Sequence, residues 1–509
     1  MLIRPLFAVA MCAAIVCIPC TGTAQEPKPD AHAAEGAAYR EVLQTLCSAE
    51  HAGRVSGTVG GEQAIAFLAR RFAALGLLPM AADSLRQPFA TKDPEPPQWL
   101  PKTSCKVLVD GHESELKINQ QWAPFPFSVE GTIAAKVVFA GHALAIPELG
   151  IDDFAGLAVR GKVVLALRGG PRWRAGDAAV RAYLPQLSFR AKAERVAALG
   201  AVALWIVDRA DEKAAPLDFA SLNQTTGAGA VPMLFADRAT VARCFVGGSD
   251  GLLAAQHALD QGQALLALCD VHLELCIAAS HRPKLGTANV VGQLLGSGEQ
   301  RDELVVLGAH HDHIGMGRFA SLAGPEGIGQ LHPGADDNAS GIAGMLLLAQ
   351  RFRERGPGNR TLVCVAFGAE ELGQLGSRWF VDQLTSPRKV AAMIDLNMIG
   401  RGQSGTLVAY GTGSGAGLAA LVAAHAERCK LPIELRDRSS YRADQAVFLL
   451  NATPALLFTT GLHSQYHRPS DVPERVEVAA ALQIVDLVDS VLIDLVNGPR
   501  RAFVAGNNR

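Results

Sequence analysis

Histidine and carboxylate recur along this sequence at places where an ordinary strand would turn away into solvent. "LGAHHDHIG" (307–315) sets His310, His311, Asp312 and His313 directly behind an apolar run. Asp336 and Asp337 follow in "GADDNASG", Glu370 and Glu371 in "GAEELG", Asp395 and Asn397 in "MIDLNMIG", and His463 and His467 in "GLHSQYHRPSD". Each alone has a bland explanation: a strand-end histidine caps or faces solvent, and paired aspartates before "NASG" make a good helix N-cap. Five strand ends together would concentrate negative charge unless a cation sat among them. Imidazole and carboxylate without thiolate suit zinc in a catalytic rather than a structural role. The donors are too many for one tetrahedral ion, so the pattern points to two metals about 3.5–4 Å apart with a carboxylate between them.

Such a site needs elements that deliver several chain segments to one edge. From about residue 287 to 497 strand and helix alternate: "ELVVLGA" then "GIAGMLLLAQRF", "TLVCVAF" then "LGQLGSRWFVDQL", "AAMIDLNMIG" then "GAGLAALVAAHAERC", and "PALLFTT" then a last helix from about Val476. This order predicts βαβ units and a largely parallel sheet, whose ligands collect beyond the carboxyl ends of the strands. Upstream, "AAYREVLQTLCSAEHAG" and "GEQAIAFLARRFAALGLLP" read as amphipathic helices, and "TKDPEPPQWLPKTS" breaks regular structure. Between about 126 and 280 lie short strands ("GKVVLALRGG", "VALWIVD", "VPMLFA") and the helix "SFRAKAERVAALGA", without a cluster of metal-binding residues.

The 509 residues are enough for about three domains. With 49% hydrophobic and 19% charged residues the chain can bury large cores, and a net charge of −2 argues against nucleic-acid or polybasic membrane partners. "MLIRPLFAVAMCAAIVCIPCTGTAQ" reads as a secretory signal cleaved after Ala24, giving a secreted or periplasmic protein. Seven cysteines remain beyond it, an odd and irregular set from which no disulfide framework can be read, and Cys364 lies within an apolar strand as a buried, inert thiol. "GGSDG" (247–251) fits a nucleophile elbow and "GTGSGA" (411–416) a dinucleotide fingerprint, but both read better as glycine turns.

"VVLGAHHDHIG", "GADDNASG", "VAFGAEELGQLGS", "MIDLNMIGR", "YRADQAVF" and "YHRPSD" resemble, in order and spacing, the blocks of the M28 family of zinc aminopeptidases. "IDDFAGLAVRGKVVLALRGGP" with "AERVAALGAVALWIVD" resembles a protease-associated (PA) domain. The resemblance implies an α/β zinc-exopeptidase fold with a mostly parallel central sheet and an inserted β-rich PA domain. The implied division is a signal peptide (1–24), a helical lead-in (35–125), the PA domain (126–280), the peptidase domain (285–497) and a C-terminal tail (498–509). It implies two Zn2+ and peptide substrates. By the same resemblance His310 serves the first metal, Asp312 orients it, Asp337 bridges, Glu371 and His467 hold the second metal, Glu370 is the general base and Asp444 lies near the substrate; His311 and His313 are not ligands. One departure is Asn397, where the family has an aspartate serving the first metal. Asp395, two residues earlier, is the alternative ligand, and the sequence leaves the choice open. The implied activity is removal of N-terminal residues; a carboxypeptidase, a glutaminyl-cyclase-like enzyme or a non-catalytic binding homologue are the alternatives on the same fold.

Overall fold

The computed structural model describes residues 29–80, 83–91, 98–147, 150–171, 184–210, 230–263, 268–280, 285–384, 389–437 and 443–505. The expected signal segment lies outside them. Two eight-stranded sheets organise the chain. In the first, the central strands Thr361–Phe367, Glu303–His310, Lys389–Leu396 and Ala455–Thr459 run parallel in that order. Leu285–Leu294 and then Arg86–Thr91 extend it antiparallel at one side, and Val408–Tyr410 with Glu434–Arg436 complete the other. Four of its seven pairings are parallel, three of them in the middle, where the candidate residues sit, and one between Val408–Tyr410 and Glu434–Arg436 at the margin.

Period-two alternation with both sides apolar explains why these strands are central. Along Glu303–His310, Val305, Leu307 and Ala309 join one core, and Leu304 and Val306 join the other. Thr361–Phe367 divides in the same way, with Leu362, Cys364 and Ala366 against Val363, Val365 and Phe367. The larger core is closed by helices Pro29–Leu46, Val59–Ala74, Gly341–Arg355 and Val478–Asn497 through Tyr39, Phe72, Leu346 and Val485. The smaller is closed by Leu375–Asp382 and Gln445–Leu450 through Phe380 and Phe448, whose rings pack on Phe367. Burial pushes the Cys364 thiol up to about 12, as an inert core cysteine requires.

The second sheet takes its strands from 104–109, 112–115, 122–124, 131–139, 163–167, 203–207, 233–236 and 271–277. It begins some twenty residues before the boundary expected at 126. The expected helical lead-in also contains a strand, because Arg86–Thr91 pairs with the edge of the first sheet. The short alternating segment "SCKVLV" pairs with the adjacent His112–Glu115 on one side and with the distant Val271–Ile277 on the other, so helix periodicity could not announce it. "GGSDG" starts the helix Ser249–Asp260, with Ser249 exposed, in keeping with a glycine turn.

The C-terminal helix is fastened to the sheet by Arg360. Its fully buried guanidinium donates to Glu303 Oε2 at 2.7 Å and to the carbonyls of Leu495 and Gly498 at 3.2 and 2.6 Å. Replacing Arg360 by Met leaves those helix-end carbonyls unpaired. The variant is expected to lose about 3 kcal/mol of stability, read as a lower urea midpoint at unchanged slope.

Candidate metal centre

The carboxyl ends of the central strands bring together six histidine and carboxylate side chains. His310 is the last residue of its strand, and His313 lies three residues beyond it. Asp337 sits in the turn before the helix Gly341–Arg355, Glu370 and Glu371 follow the strand Thr361–Phe367, and His467 lies in the loop after Ala455–Thr459. Asp337 divides its carboxylate: Oδ1 is 3.2 Å from His310 Nε2, while Oδ2 is 3.2 Å from His467 Nε2 and 3.7 Å from His313 Nδ1. Glu371 stands with Oε1 2.9 Å from His313 Nδ1 and Oε2 3.1 Å from His467 Nε2. Donor atoms of His313, Asp337, Glu371 and His467 all lie within 4.8 Å of one another.

The directions of these groups fit a cation better than a hydrogen-bonded cluster. His310 Nδ1 faces the Asp312 carbonyl at 3.1 Å and His467 Nδ1 the Ala320 carbonyl at 2.8 Å. Donation from each Nδ1–H fixes the tautomer and turns the Nε2 lone pair inward, as metal-binding imidazoles require. Both Nε2 atoms are buried and, despite distances of 3.1–3.2 Å to carboxylate oxygens, make no hydrogen bond. Burial alone would raise the Asp337 and Glu371 carboxyls, but the neighbouring histidines hold Asp337 well below its usual range and Glu371 at about 2. Conversely, burial disfavours imidazolium at His310 and His467, yet Glu370, Asp337 and Glu371 draw both pKa values well up. The site is thus an anionic hollow that recruits positive charge.

Glu370 stands apart from the donor cluster. Its carboxyl is pushed well above the ordinary range by burial and by Asp444, Glu371 and Asp312, against the opposing pull of His310. Gln374 Nε2 donates to its Oε1 at 3.4 Å. A buried acid of raised pKa beside a cation site, without being one of its donors, is equipped to take up and return a proton.

The remaining expected residues lie around this cluster, buried for the most part. Asp312 orients His310 through its backbone carbonyl, since its carboxylate is 3.8 Å from His310 Nδ1 and instead accepts the Glu370 and Glu371 amides at 3.0 and 3.3 Å. Its side chain therefore positions the loop carrying both glutamates. His313 joins the cluster although the resemblance sets it aside; His311 stays out, facing the Ala288 carbonyl at 3.1 Å, and burial lowers its pKa to about 4. Asp395 pairs with Gly308 in the parallel register, and Asn397 lies just past the end of the same strand. Asp395 Oδ2 accepts the Gln445 amide at 3.0 Å, which commits that oxygen to the start of the helix Gln445–Leu450. Burial pushes Asp395 to about 7, and burial together with Asp395 pushes Asp444 to about 8. Asp336 ties Gly400 and Ser340 together through Oδ1 at 2.6 and 2.9 Å, and its Oδ2 faces His463 Nε2 at 3.2 Å. Asp471, fully buried, accepts the amides of Asp336 and Asp337 at 3.0 and 3.1 Å.

Sequence reasoning missed Arg54. It lies in "HAGRVSG", where Ala52, Gly53 and Arg54 all take left-handed backbone with φ of 44°, 69° and 55°. A Cβ on Gly53 would stand 2.6 Å from the Cα of Gly315, so only glycine lets this segment press against the histidine-bearing loop. The Arg54 guanidinium, 0% exposed, donates to the carbonyls of Leu46, His311, Pro333 and Gly334 at 2.6–2.9 Å. Ser56 Oγ accepts the Ala369 amide at 2.8 Å, next to Glu370. One lead-in segment thereby holds three loops of the centre. A lone arginine in a glycine-rich stretch carries no periodic signal that could have announced this.

Residues 289–492 match the family model of Peptidase family M28. An aminopeptidase of Pseudomonas aeruginosa is 29% identical over 184 residues, which is 36% of this chain and 30% of that protein. Aminopeptidase YwaD of Bacillus subtilis is 30% identical over 110 residues, 22% of this chain and 21% of that protein. The matched stretch thus spans under a third of either relative's length. Among solved structures, an aminopeptidase from Aneurinibacillus sp. strain AM-1 superposes with a TM-score of 0.61 at 21% identity, covering 93% of this chain and 96% of that one. A zinc aminopeptidase from Bacillus subtilis superposes at 0.54 with 19% identity, covering 92% and 98%. The fold is that of the M28 zinc aminopeptidases.

Arg54→Met would keep the length of the side chain and leave four loop carbonyls unpaired. It is expected to cost about 3 kcal/mol and to loosen metal retention roughly 10- to 100-fold, as loss of a residue supporting metal ligands does. Denaturation midpoints and metal content after dialysis measure the two effects separately.

Proposed function

We propose that this protein is an exported metalloaminopeptidase that holds two zinc ions and removes N-terminal residues from peptides one at a time. The observation that carries the reading is the division of Asp337 between His310 and the Glu371–His467 pair, the arrangement expected of a carboxylate between two cations. His310 and Asp337, with Asn397 at the strand end, would hold one ion; Asp337, Glu371 and His467 would hold the other. When bound, such ions polarise the scissile carbonyl and bring the pKa of the attacking water toward neutrality.

The protein's own groups supply proton transfer and alignment. Glu370 removes a proton from the water as its oxygen bonds to the carbonyl carbon, then returns it to the leaving nitrogen as the C–N bond breaks. Asp312, through the amides of Glu370 and Glu371, keeps base and metal donors in one frame. The β-rich unit would act as an access element of the protease-associated type rather than a catalytic one. Asn397 favours one competing reading, a single-metal enzyme of the glutaminyl-cyclase type, because it removes a charged donor from one of the two ion positions.

Glu370→Gln is expected to lower kcat by about 10²–10⁴-fold with metal content unchanged, since it removes the proton acceptor and no donor; turnover within tenfold of the parent would remove Glu370 as the base. The reaction class is checked with an aminoacyl nitroanilide and its N-acetyl derivative: the free amine should be cleaved and the blocked one spared. Equal cleavage would exclude an aminopeptidase, and one zinc per chain in the active protein would favour the single-metal reading.

A further inference from the structure

We propose that His313 is a fourth protein ligand to the ion held by Asp337, Glu371 and His467. This half of the centre would be closed by protein donors, while the half served by His310 stays open. The inference rests on the metallopeptidase reading and adds a residue that the family resemblance leaves outside the metal set.

Donor spacing is the first argument. Zinc–nitrogen and zinc–oxygen bonds of about 2.0–2.1 Å at tetrahedral angles set donors about 3.3 Å apart. His313 Nδ1 lies 2.9 Å from Glu371 Oε1 and 3.7 Å from Asp337 Oδ2; His467 Nε2 lies 3.2 Å from Asp337 Oδ2 and 3.1 Å from Glu371 Oε2. These values straddle the tetrahedral spacing. A histidine that only supported Glu371 would donate from the side facing away from the ion. Here Nδ1 faces both Glu371 Oε1 and Asp337 Oδ2, and a donor nitrogen of His313 lies within 4.8 Å of donor atoms of Asp337, Glu371 and His467.

The setting of the imidazole is the second argument. The His313 side chain is fully buried, and its Nε2 has no hydrogen-bond partner, so the polar atoms that engage the ring belong to the cluster. Its Cδ2 edge rests on Gly334, where a Cβ would stand only 2.5 Å away; the glycine turn before Asp337 leaves room for that ring. His313 and His467 meet edge-on, with centroids 5.5 Å apart and planes at 81°. Near-perpendicular rings let two nitrogen lone pairs reach one point without the rings colliding.

The two halves are then unequal. Two carboxylates and two imidazoles complete a tetrahedron on the His313 side, whereas His310 has one Asp337 oxygen at 3.2 Å and Asn397, just past the end of the neighbouring strand, can offer only a neutral amide. A closed set retains its ion and an open one leaves coordination for water and substrate. The His313 half should fill first and empty last, leaving the exchangeable position at His310.

The test is titration of metal-free protein with Co2+, followed by calorimetry and visible absorption, since four-coordinate Co2+ absorbs more strongly than higher-coordinate forms. The parent should take up a first, tight equivalent with an intense band and a second, weaker one. In His313→Ala the tight equivalent should weaken about 10- to 100-fold, its band should fade, and added imidazole should restore the band. His311→Ala, which alters an equally buried histidine outside the cluster, should leave both equivalents unchanged. X-ray absorption of parent protein loaded with one equivalent of Zn2+ needs no variant: two imidazoles per zinc support the inference and one overturns it. An unchanged first equivalent in a folded His313→Ala protein would also overturn it, making His313 a hydrogen-bond donor to Glu371. A parent that binds neither Co2+ nor Zn2+ would instead defeat the metallopeptidase reading itself.

Discussion

Eight carboxyl groups are buried where the parallel strands end: Asp312, Asp336, Asp337, Glu370, Glu371, Asp395, Asp444 and Asp471. Carrying that many anions out of water is prohibitive unless each is neutralised, hydrogen-bonded or protonated. Much of the surrounding structure can be understood as the means of doing so. Asp337 and Glu371 face imidazoles; Asp312 and Asp395 accept backbone amides; Glu370 and Asp444 are pushed toward protonation. Environment thus separates chemically identical groups into strong anions suited to hold a cation and weak acids suited to carry a proton.

That partition depends on backbone held to fractions of an ångström. The loops bearing His311, Gly334 and Ala369 are pinned by Arg54 and Ser56, from a segment more than 200 residues away in sequence. Asp471 fixes the amides of Asp336 and Asp337, and His467 is tied back through the Ala320 carbonyl. The sheet supplies rigid strand ends, but the precision comes from these cross-braces. They explain why a site assembled from five loops can be almost fully buried without leaving its backbone unsatisfied.

The position of Asn397 shows how one substitution redistributes charge. One Asp395 oxygen accepts the Gln445 amide at the start of the helix Gln445–Leu450, and the other, Oδ1, is buried without a hydrogen-bond partner. On the other side of Asp337, Glu371 and His313 stand together, with Glu371 Oε1 2.9 Å from His313 Nδ1.

The sequence by itself determined the α/β alternation, the strands with apolar residues on both sides, and the convergence of His310, Asp337, Glu371 and His467. These follow from local periodicity and from the rule that parallel strands gather their ends at one edge. It also carried the reading of Cys364 as a core thiol. Tertiary structure alone decided which nitrogen of each histidine turns inward, that the Asp312 carboxylate serves the glutamate loop, and that His313 enters the cluster. The same holds for the early strands 104–109 and 122–124, whose distant partners lie at 271–277 and 233–236. Arg54 makes the distinction plainest: its four acceptors are backbone carbonyls. Every residue has a carbonyl, so no pattern of side chains along the chain can tell which ones a folded arginine will reach.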